Sequence, residues 1–138
     1  MDSIKKGGVV IIDFGSQYTK LIARRIRENS VYSEILSPDS KINVIMKNSP
    51  AAIILSGGPK SVNDIEAPIF DKKLLELNIP ILGICYGLQL LLNNAGGKIK
   101  SGGNGEYGPA TINIKNNETL LEGLNSKSIV WMSHGDQA

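Results

Sequence analysis

The chain has 138 residues, of which 41% are hydrophobic and 20% charged, values that fit one globular domain and argue against disorder. The sequence has neither the roughly twenty consecutive apolar residues of a membrane span nor the apolar stretch of a secretory signal, and a net charge of +2 predicts no nucleic-acid or membrane partner. The single cysteine and single histidine exclude an internal disulfide and a zinc site built from Cys and His, and they fit a cytoplasmic location.

Strand and helix patterns alternate through most of the chain. Residues 1–8 are polar and end in Gly-Gly, which predicts a loose leader before a domain that spans residues 9–138. Runs rich in apolar and β-branched residues predict strands at 9–13, 31–36, 51–55 and 79–84. Apolar residues at helical spacing predict a first helix with Ser16 as its N-cap and with Tyr18, Leu21, Ile22 and Ile26 on its apolar face. Further helices are predicted at 41–46, 69–77 and 86–94. The Gly96-Gly97 pair is expected to end the last of these.

This alternation predicts an α/β fold with a mostly parallel central sheet flanked by helices. The remaining residues, 98–133, have the patterns of strands and turns. In sheets of this type, ligands bind beyond the carboxyl ends of the strands. The residues that follow each predicted strand are therefore the first candidates for function.

One face of the first predicted helix carries three basic residues, Lys20, Arg24 and Arg27. Such a cluster is typical of a solvated helix surface, and it is also what a docking face for another domain would present. Charge alone leaves both interpretations open.

The segment Gly83-Ile84-Cys85-Tyr86-Gly87 lies between a predicted buried strand and a predicted helix. It has the layout of the G-x-S-x-G nucleophile elbow, with cysteine in place of serine. The turn would expose Cys85 at a helix N-terminus, where backbone N–H groups and the helix dipole stabilise negative charge on sulfur. A lone cysteine can also be a small hydrophobic core residue, but the flanking glycines favour a nucleophile.

A second glycine motif, Ser56-Gly57-Gly58-Pro59, follows the third predicted strand. Two glycines let the backbone approach a ligand closely and turn an N–H toward it. Alone, such a segment is most simply an ordinary turn. Beside a nucleophile elbow, it is the expected second half of an oxyanion hole.

Two other motifs match known signatures without the required context. Residues 103–108 match G-x-G-x-x-G, yet no predicted strand precedes them and Pro109 stands where a helix should begin. Asp13-Phe14-Gly15 matches a kinase triplet, but no Gly-rich loop or catalytic loop accompanies it. We therefore predict neither a dinucleotide site nor a kinase.

Together the two glycine motifs resemble the signature of class I glutamine amidotransferases of the triad type, and the resemblance runs over residues 9–138. The elbow signature extends through Leu88 to Gln89. Three further segments resemble the amidotransferase domains of GMP synthases, namely Asp13-Phe14-Gly15-Ser16-Gln17-Tyr18, Ala23-Arg24-Arg25 and Trp131-Met132-Ser133-His134-Gly135-Asp136. The resemblance implies a flavodoxin-like sheet.

The resemblance also implies a role for each matching residue. Cys85 would attack the side-chain amide of glutamine and form a glutamyl thioester. The backbone amides of Gly58 and Tyr86 would hold the oxyanion. The residues implied to bind glutamine are Gly57, Gln89, Ser133, His134 and Gly135, and Asp136 would lie toward a synthetase domain.

A second reaction, outside this domain, follows from the same resemblance. The released ammonia would aminate xanthosine monophosphate to GMP on an ATP pyrophosphatase (synthetase) domain, which uses ATP and Mg²⁺. That domain would lie on the same polypeptide or on a separate one, and it would form a homodimer. The amidotransferase domain itself would need no metal and no other cofactor.

The family's triad requires a histidine and a glutamate in a later Phe-His-Pro-Glu-like segment, which this sequence does not contain. Its one histidine, His134, belongs to the Ser-His-Gly-Asp motif. We therefore expect the C-terminal part of the domain to be missing. We also expect the 138 residues alone to hydrolyse glutamine poorly, because a thiol without a base is a weak nucleophile.

Two alternatives remain, a non-catalytic glutamine-binding or regulatory module and another enzyme with a Cys elbow, such as a cysteine peptidase or deglycase.

Overall fold

The structure is a computed structural model that describes residues 7–58, 69–115 and 119–137. The chain divides into two compact units, Met1–Ile99 and Lys100–Gln137. Residues 1–6 of the expected leader and Pro59 of the second glycine motif lie outside the described residues. The expected boundaries of leader and domain therefore stay a prediction.

A four-stranded parallel sheet is the centre of the first unit. Its strands are β1 (Val9–Ile12), β2 (Ser33–Leu36), β3 (Ala52–Leu55) and β4 (Ile81–Gly83). Their spatial order is β2-β1-β3-β4, which is the beginning of the flavodoxin-like order. The expected α/β fold with a mostly parallel sheet is confirmed.

The described residues of this unit form three α-helices beside the sheet, α1 (Thr19–Glu28), α2 (Ile42–Ile45) and α3 (Tyr86–Asn94). Residues from β1, β3, α2 and α3 share one apolar cluster with Phe70 and Leu74. Helix α1 contacts β1 and β2, and its buried residues Thr19 and Ala23 lie outside that cluster. This division of buried residues is the one expected when helices cover both faces of a parallel sheet.

Helix α3 ends in a Schellman motif, as the Gly96-Gly97 pair predicts. The Gly97 N–H donates to the Leu92 carbonyl oxygen at 2.8 Å, and the Gly96 N–H donates to that of Asn93 at 3.3 Å. Gly96 has φ +87°, a left-handed conformation that glycine adopts without steric cost.

The prediction for the start of α1 is wrong. The helix begins at Thr19 with Tyr18 as its N-cap, and the Ser16 hydroxyl instead accepts the Tyr18 N–H at 3.0 Å. The serine therefore closes a turn before the helix. Tyr18 and Leu21 are exposed, because the buried stripe of the helix centres on Thr19 and Ala23.

The predicted helix at 69–77 is also wrong in type and length. Within this range only Lys72–Glu76 is helical, and it forms a 3₁₀-helix. Asp71 is its N-cap, and the Asp71 carboxylate accepts the Lys73 N–H at 3.0 Å. Phe70 and Leu74 are nevertheless buried. The apolar spacing thus identified the buried residues correctly but could not distinguish one tight turn from a regular helix.

The basic residues of α1 are partly engaged in local structure. Arg27 donates to the carbonyl oxygen of Ser33 at 2.8 Å and to its hydroxyl at 3.0 Å, which ties the end of α1 to β2. Arg24 pairs with Glu28 at 3.1 Å on an exposed surface. Neither observation decides between a solvated surface and a docking face.

The second unit is an antiparallel pair of strands, β5 (Lys100–Asn113) and β6 (Lys127–Gln137), with a 3₁₀-helix at Thr119–Leu121 between them. Residues 103–108 lie within β5, whereas the dinucleotide signature occupies a turn between a strand and a helix. Tyr107, Ile129 and Trp131 lie on one face of this pair, with 72%, 79% and 76% of their surface exposed.

Candidate active site

The carboxyl ends of three neighbouring strands bring the two glycine motifs of the first unit together. Ile12 is in register with Leu55, and Leu55 with Gly83, so β1, β3 and β4 end side by side. The ladder continues one residue further, because the Ser56 N–H donates to the Ile12 carbonyl oxygen at 3.0 Å and the Ile84 N–H to that of Leu55 at 2.9 Å. Ligands bind at this edge in open parallel sheets.

Cys85 lies at the tip of a sharp turn between β4 and α3. It is exposed and is the N-cap of α3. Its backbone has φ 51° and ψ −111°, a conformation that residues with a side chain rarely adopt. A strained residue between a strand and a helix is the defining geometry of a nucleophile elbow, and the predicted elbow is observed.

Both elbow glycines are required by steric contacts. A Cβ atom at Gly83 would lie 2.6 Å from the Leu88 Cα, and one at Gly87 would collide with the Leu55 carbonyl oxygen. The first turn of α3 can therefore pack directly on β3 only when residue 87 has no side chain. The Gly87 N–H donates to the Ser56 carbonyl oxygen at 3.1 Å, which fixes α3 to the loop after β3.

The loop after β3 contacts both the elbow and the loop after β1. A Cβ atom at Gly57 would lie 3.3 Å from the Cys85 Cβ, and one at Gly58 would collide with the Phe14 carbonyl oxygen. The Gly58 amide makes no hydrogen bond to any residue that the structure describes. A donor without a protein partner next to a nucleophile is what an oxyanion hole requires.

Tyr86 and Gln89 lie in the first turn of α3, directly after Cys85. The Tyr86 side chain is 2% exposed and its ring packs on Phe14 with centroids 5.2 Å apart, so the aromatic ring anchors the elbow to the core. The Gln89 N–H donates to the Cys85 carbonyl oxygen at 3.0 Å, and residue 89 is half-buried. Residues 86 and 89 thus lie close to Cys85 at the start of α3, and their expected roles stay predictions.

The expected glutamine-binding segment 133–135 and Asp136 belong to the second unit. They lie in β6, where Ser133 is in register with Tyr107, His134 with Glu106 and Asp136 with Ser101. The structure brings Gly57, Gly58, Tyr86 and Gln89 around Cys85. It describes the β6 residues only within their own strand pair, so their roles stay predictions.

Sequence reasoning missed two buried polar residues, Thr19 and Ser56, which are 1% and 0% exposed. The Thr19 hydroxyl lies 3.0 Å from Asp13 Oδ1 and 3.2 Å from Ser56 Oγ. Ser56 belongs to a motif that the sequence analysis singled out, but only for its glycines. Thr19 gave no signal, because a threonine early in a helix is equally common on the surface.

Metal and membrane sites were searched across the described residues. No group of three or more His, Cys, Asp or Glu residues is placed to hold a metal ion in that part of the chain. No helix in the same part is long and apolar enough to span a membrane.

A family model for class I glutamine amidotransferases matches residues 10–138. The chain belongs to the class I glutamine amidotransferase family. This result confirms the resemblance inferred from the Cys85 elbow and the Ser56-Gly57-Gly58 loop. The elbow described above lies within the part of the chain that the amidotransferase family model matches.

Curated relatives of this amidotransferase chain are glutamine-hydrolysing GMP synthases. That of Brachyspira hyodysenteriae is 54% identical over 93% of this chain, and that of Campylobacter lari is 49% identical over 97%. The chain covers 25% and 26% of these two relatives. It therefore spans about a quarter of their length.

Solved structures show the same amidotransferase architecture. A candidate GMP synthase subunit from Thermoplasma acidophilum is 28% identical and superposes with a TM-score of 0.79 over 94% of this chain and 65% of that one. A glutamine amidotransferase from Thermotoga maritima, 22% identical with a TM-score of 0.73 over 95% of this chain and 62% of that one, shares the fold.

Proposed function

We propose that this chain is part of the glutaminase of a GMP synthase and that Cys85 is its nucleophile. The observation that carries the proposal is the strained conformation of Cys85, with φ 51°, at an elbow that Gly57 approaches closely. The GMP synthase relatives, about 50% identical over nearly the whole chain, support the substrate and the pathway. Cytoplasmic location is part of the same proposal.

The chemistry begins with attack of the Cys85 sulfur on the side-chain amide carbon of glutamine. A C–S bond forms, the carbonyl oxygen becomes an oxyanion, and the backbone amides of Gly58 and Tyr86 donate hydrogen bonds to it. The C–N bond then breaks, and the nitrogen leaves as ammonia with the proton that the Cys85 thiol has given up. Water hydrolyses the resulting thioester to glutamate and restores the thiol.

Binding of glutamine in this proposal draws on the family resemblance as well as on the elbow. Gly57 and Gln89 lie beside Cys85, and the resemblance adds the segment Ser133-His134-Gly135 of β6. Asp136 would face the synthetase domain. That domain, on the same polypeptide or on a separate one, would bind ATP and Mg²⁺, aminate xanthosine monophosphate and form the homodimer, while the glutaminase part needs no cofactor.

The proposal is tested with the full-length natural polypeptide that carries these residues. Ammonia and glutamate released from glutamine are measured for the unsubstituted protein, for Cys85→Ala and for the control Asn93→Ala, an exposed position on α3. We expect Cys85→Ala to abolish hydrolysis and Asn93→Ala to leave it within about twofold. Hydrolysis by Cys85→Ala at the unsubstituted rate would exclude Cys85 as the nucleophile.

We further propose that the 138 residues alone hydrolyse glutamine far more slowly than the full-length polypeptide. The resemblance assigns the base to a histidine in a different motif from that of His134, and removal of a general base typically lowers the rate by about 10²–10⁴-fold. Labelling of Cys85 by a glutamine-like chloroketone separates this case from a module that only binds glutamine. Labelling faster than that of a free thiol supports an assembled site, and labelling at the free-thiol rate supports the non-catalytic module.

A further inference from the structure

A buried polar network lies beneath the loop that carries the proposed oxyanion donor. Its side chains come from three places, with Asp13 after β1, Thr19 in the first turn of α1 and Ser56 after β3. Thr19 and Ser56 are almost fully buried. Buried hydroxyl groups are retained only where their hydrogen bonds are satisfied, and the chemistry proposed above gives these two no role.

The hydrogen bonds of the network converge on Ser56. The single proton of the Thr19 hydroxyl is shared between Asp13 Oδ1 at 3.0 Å and Ser56 Oγ at 3.2 Å. The Ser56 hydroxyl donates to the Gly57 carbonyl oxygen at 3.3 Å and accepts the Phe14 N–H at 3.3 Å. The four bonds together involve every hydrogen-bonding atom of the two hydroxyl groups and connect the loops after β1 and β3.

The bond from Ser56 to Gly57 acts on the peptide unit that matters for catalysis. The Gly57 carbonyl oxygen and the Gly58 N–H belong to the same peptide, and no cis peptide bond occurs in the described part of the chain. In a trans peptide the N–H points away from the carbonyl oxygen. A hydrogen bond that holds the carbonyl toward Ser56 therefore directs the Gly58 N–H the opposite way.

We propose that Thr19 and Ser56 are positioning residues for glutamine hydrolysis, which orient the Gly57–Gly58 peptide so that its N–H stabilises the oxyanion. The inference rests on the proposed function, because it assigns the network to that reaction. Neither side chain touches the substrate. Since the oxyanion forms only on the way through the transition state, loss of this orientation lowers kcat and leaves KM almost unchanged.

The experiment measures kcat and KM for glutamine hydrolysis in the full-length natural polypeptide. Thr19→Val keeps the shape of the side chain and removes the hydroxyl, while Ser56→Ala removes the hydroxyl bonded to Gly57. We expect each variant to lower kcat by about 10- to 100-fold, the range typical of a misplaced catalytic group, with KM changed less than about threefold. Thr19→Ser keeps the hydroxyl and is expected to restore kcat to within about threefold.

Alkylation of Cys85 by iodoacetamide is the matched control, since it forms an S–C bond with loss of iodide and builds no oxyanion. We expect Thr19→Val and Ser56→Ala to be alkylated at the unsubstituted rate, which shows that the thiol and its surroundings are intact.

Three results would overturn the inference in distinguishable ways. Absence of glutamine hydrolysis in the unsubstituted polypeptide overturns the proposed function together with the network's role. Hydrolysis with unchanged kcat in Thr19→Val and Ser56→Ala overturns the network's role alone. Failure of both variants to fold, with Thr19→Ser no more active than Thr19→Val, assigns the network to stability and also overturns the inference.

Discussion

The thiol of Cys85 is exposed while its backbone is strained, and the two properties have one cause. The turn between β4 and α3 is so tight that residue 85 adopts a positive φ, which directs its side chain out of the sheet edge. Packing of the Tyr86 ring against Phe14 and the bond between Gly87 and Ser56 hold the turn against relaxation. The surrounding structure therefore stores strain at the proposed nucleophile.

Relief of this strain is testable with two substitutions at one position. Cys85→Gly and Cys85→Ala both remove the thiol, but only glycine adopts φ 51° without steric conflict. A left-handed conformation costs a residue with a side chain about 1–2 kcal/mol, partly offset by the greater freedom of glycine in the unfolded chain. We expect Cys85→Gly to be more stable than Cys85→Ala by about 1 kcal/mol in chemical denaturation. A Cys85→Gly protein less stable than Cys85→Ala, the order that unfolded-chain freedom alone produces, would show that the elbow is unstrained.

Gly87 gives a second prediction at the scale of a residue. A methyl group there would meet the Leu55 carbonyl oxygen, so α3 would have to move away from β3. We expect Gly87→Ala to lower glutamine hydrolysis by at least about 100-fold and to reduce the melting temperature. Asn93→Ala adds the same methyl-bearing residue to an exposed position of the same helix. A Gly87→Ala protein as active and stable as Asn93→Ala would contradict the steric argument.

At the scale of the secondary-structure elements, the C-terminal end of α3 allows the effect of one glycine's backbone conformation on stability to be measured separately from steric contacts. Gly96 has φ +87°, and no described atom outside the two adjacent residues lies within 4 Å of where its Cβ would be, so a substitution meets no steric contact with other residues that the structure describes. We expect Gly96→Ala to destabilise the protein by about 1 kcal/mol, and Gly96→Asn by less, since asparagine tolerates this conformation. Denaturant unfolding of the three proteins measures the order, and an Ala variant more stable than the Asn variant would be the contrary result.

Elements were predictable from sequence where one short-range pattern determines them. Continuous runs such as Val9-Val10-Ile11-Ile12 have no alternative to a strand buried on both faces, and a Gly-Gly pair ends a helix through φ alone. The start of α1 was not predictable. Ser16 and Tyr18 are both able to precede a helix, and the choice depends on the burial of Thr19 against Ser56, a residue 37 positions away.

In the candidate site, too, only the features that a short-range sequence pattern determines could be predicted. Cys85 and its glycines could be assigned because the elbow is a local motif whose steric requirements are visible in five residues. The contact between Gly58 and Phe14, and the network of Asp13, Thr19 and Ser56, could not. These residues meet only because β1 and β3 are neighbours in the sheet, which no local pattern reveals.

At the scale of the whole molecule, the exposed apolar face of the β5–β6 pair is a liability of the 138-residue chain. Ile129 is 79% exposed, while its neighbour Val130, on the other face, is half-buried. We expect Ile129→Lys to reduce light scattering on heating without lowering the melting temperature, because large exposed apolar surfaces promote association. The control Val130→Lys places a charge on the more buried face and is expected to lower stability by more than about 1 kcal/mol. Similar behaviour of the two variants would contradict the assignment of faces.

The strand order β2-β1-β3-β4 has a kinetic consequence. Of these four strands the ribosome makes β1 first, and β1 acquires its two neighbours from later and separate parts of the chain. Parallel pairing requires each intervening crossover to close before any ladder hydrogen bond forms. Proteins dominated by such distant contacts fold slowly. Cys85 can therefore reach its strained geometry only after β3 has joined β1 and α3 has packed against β3 and β4, so a nascent chain carries an unstructured, unactivated thiol until synthesis has passed the end of α3.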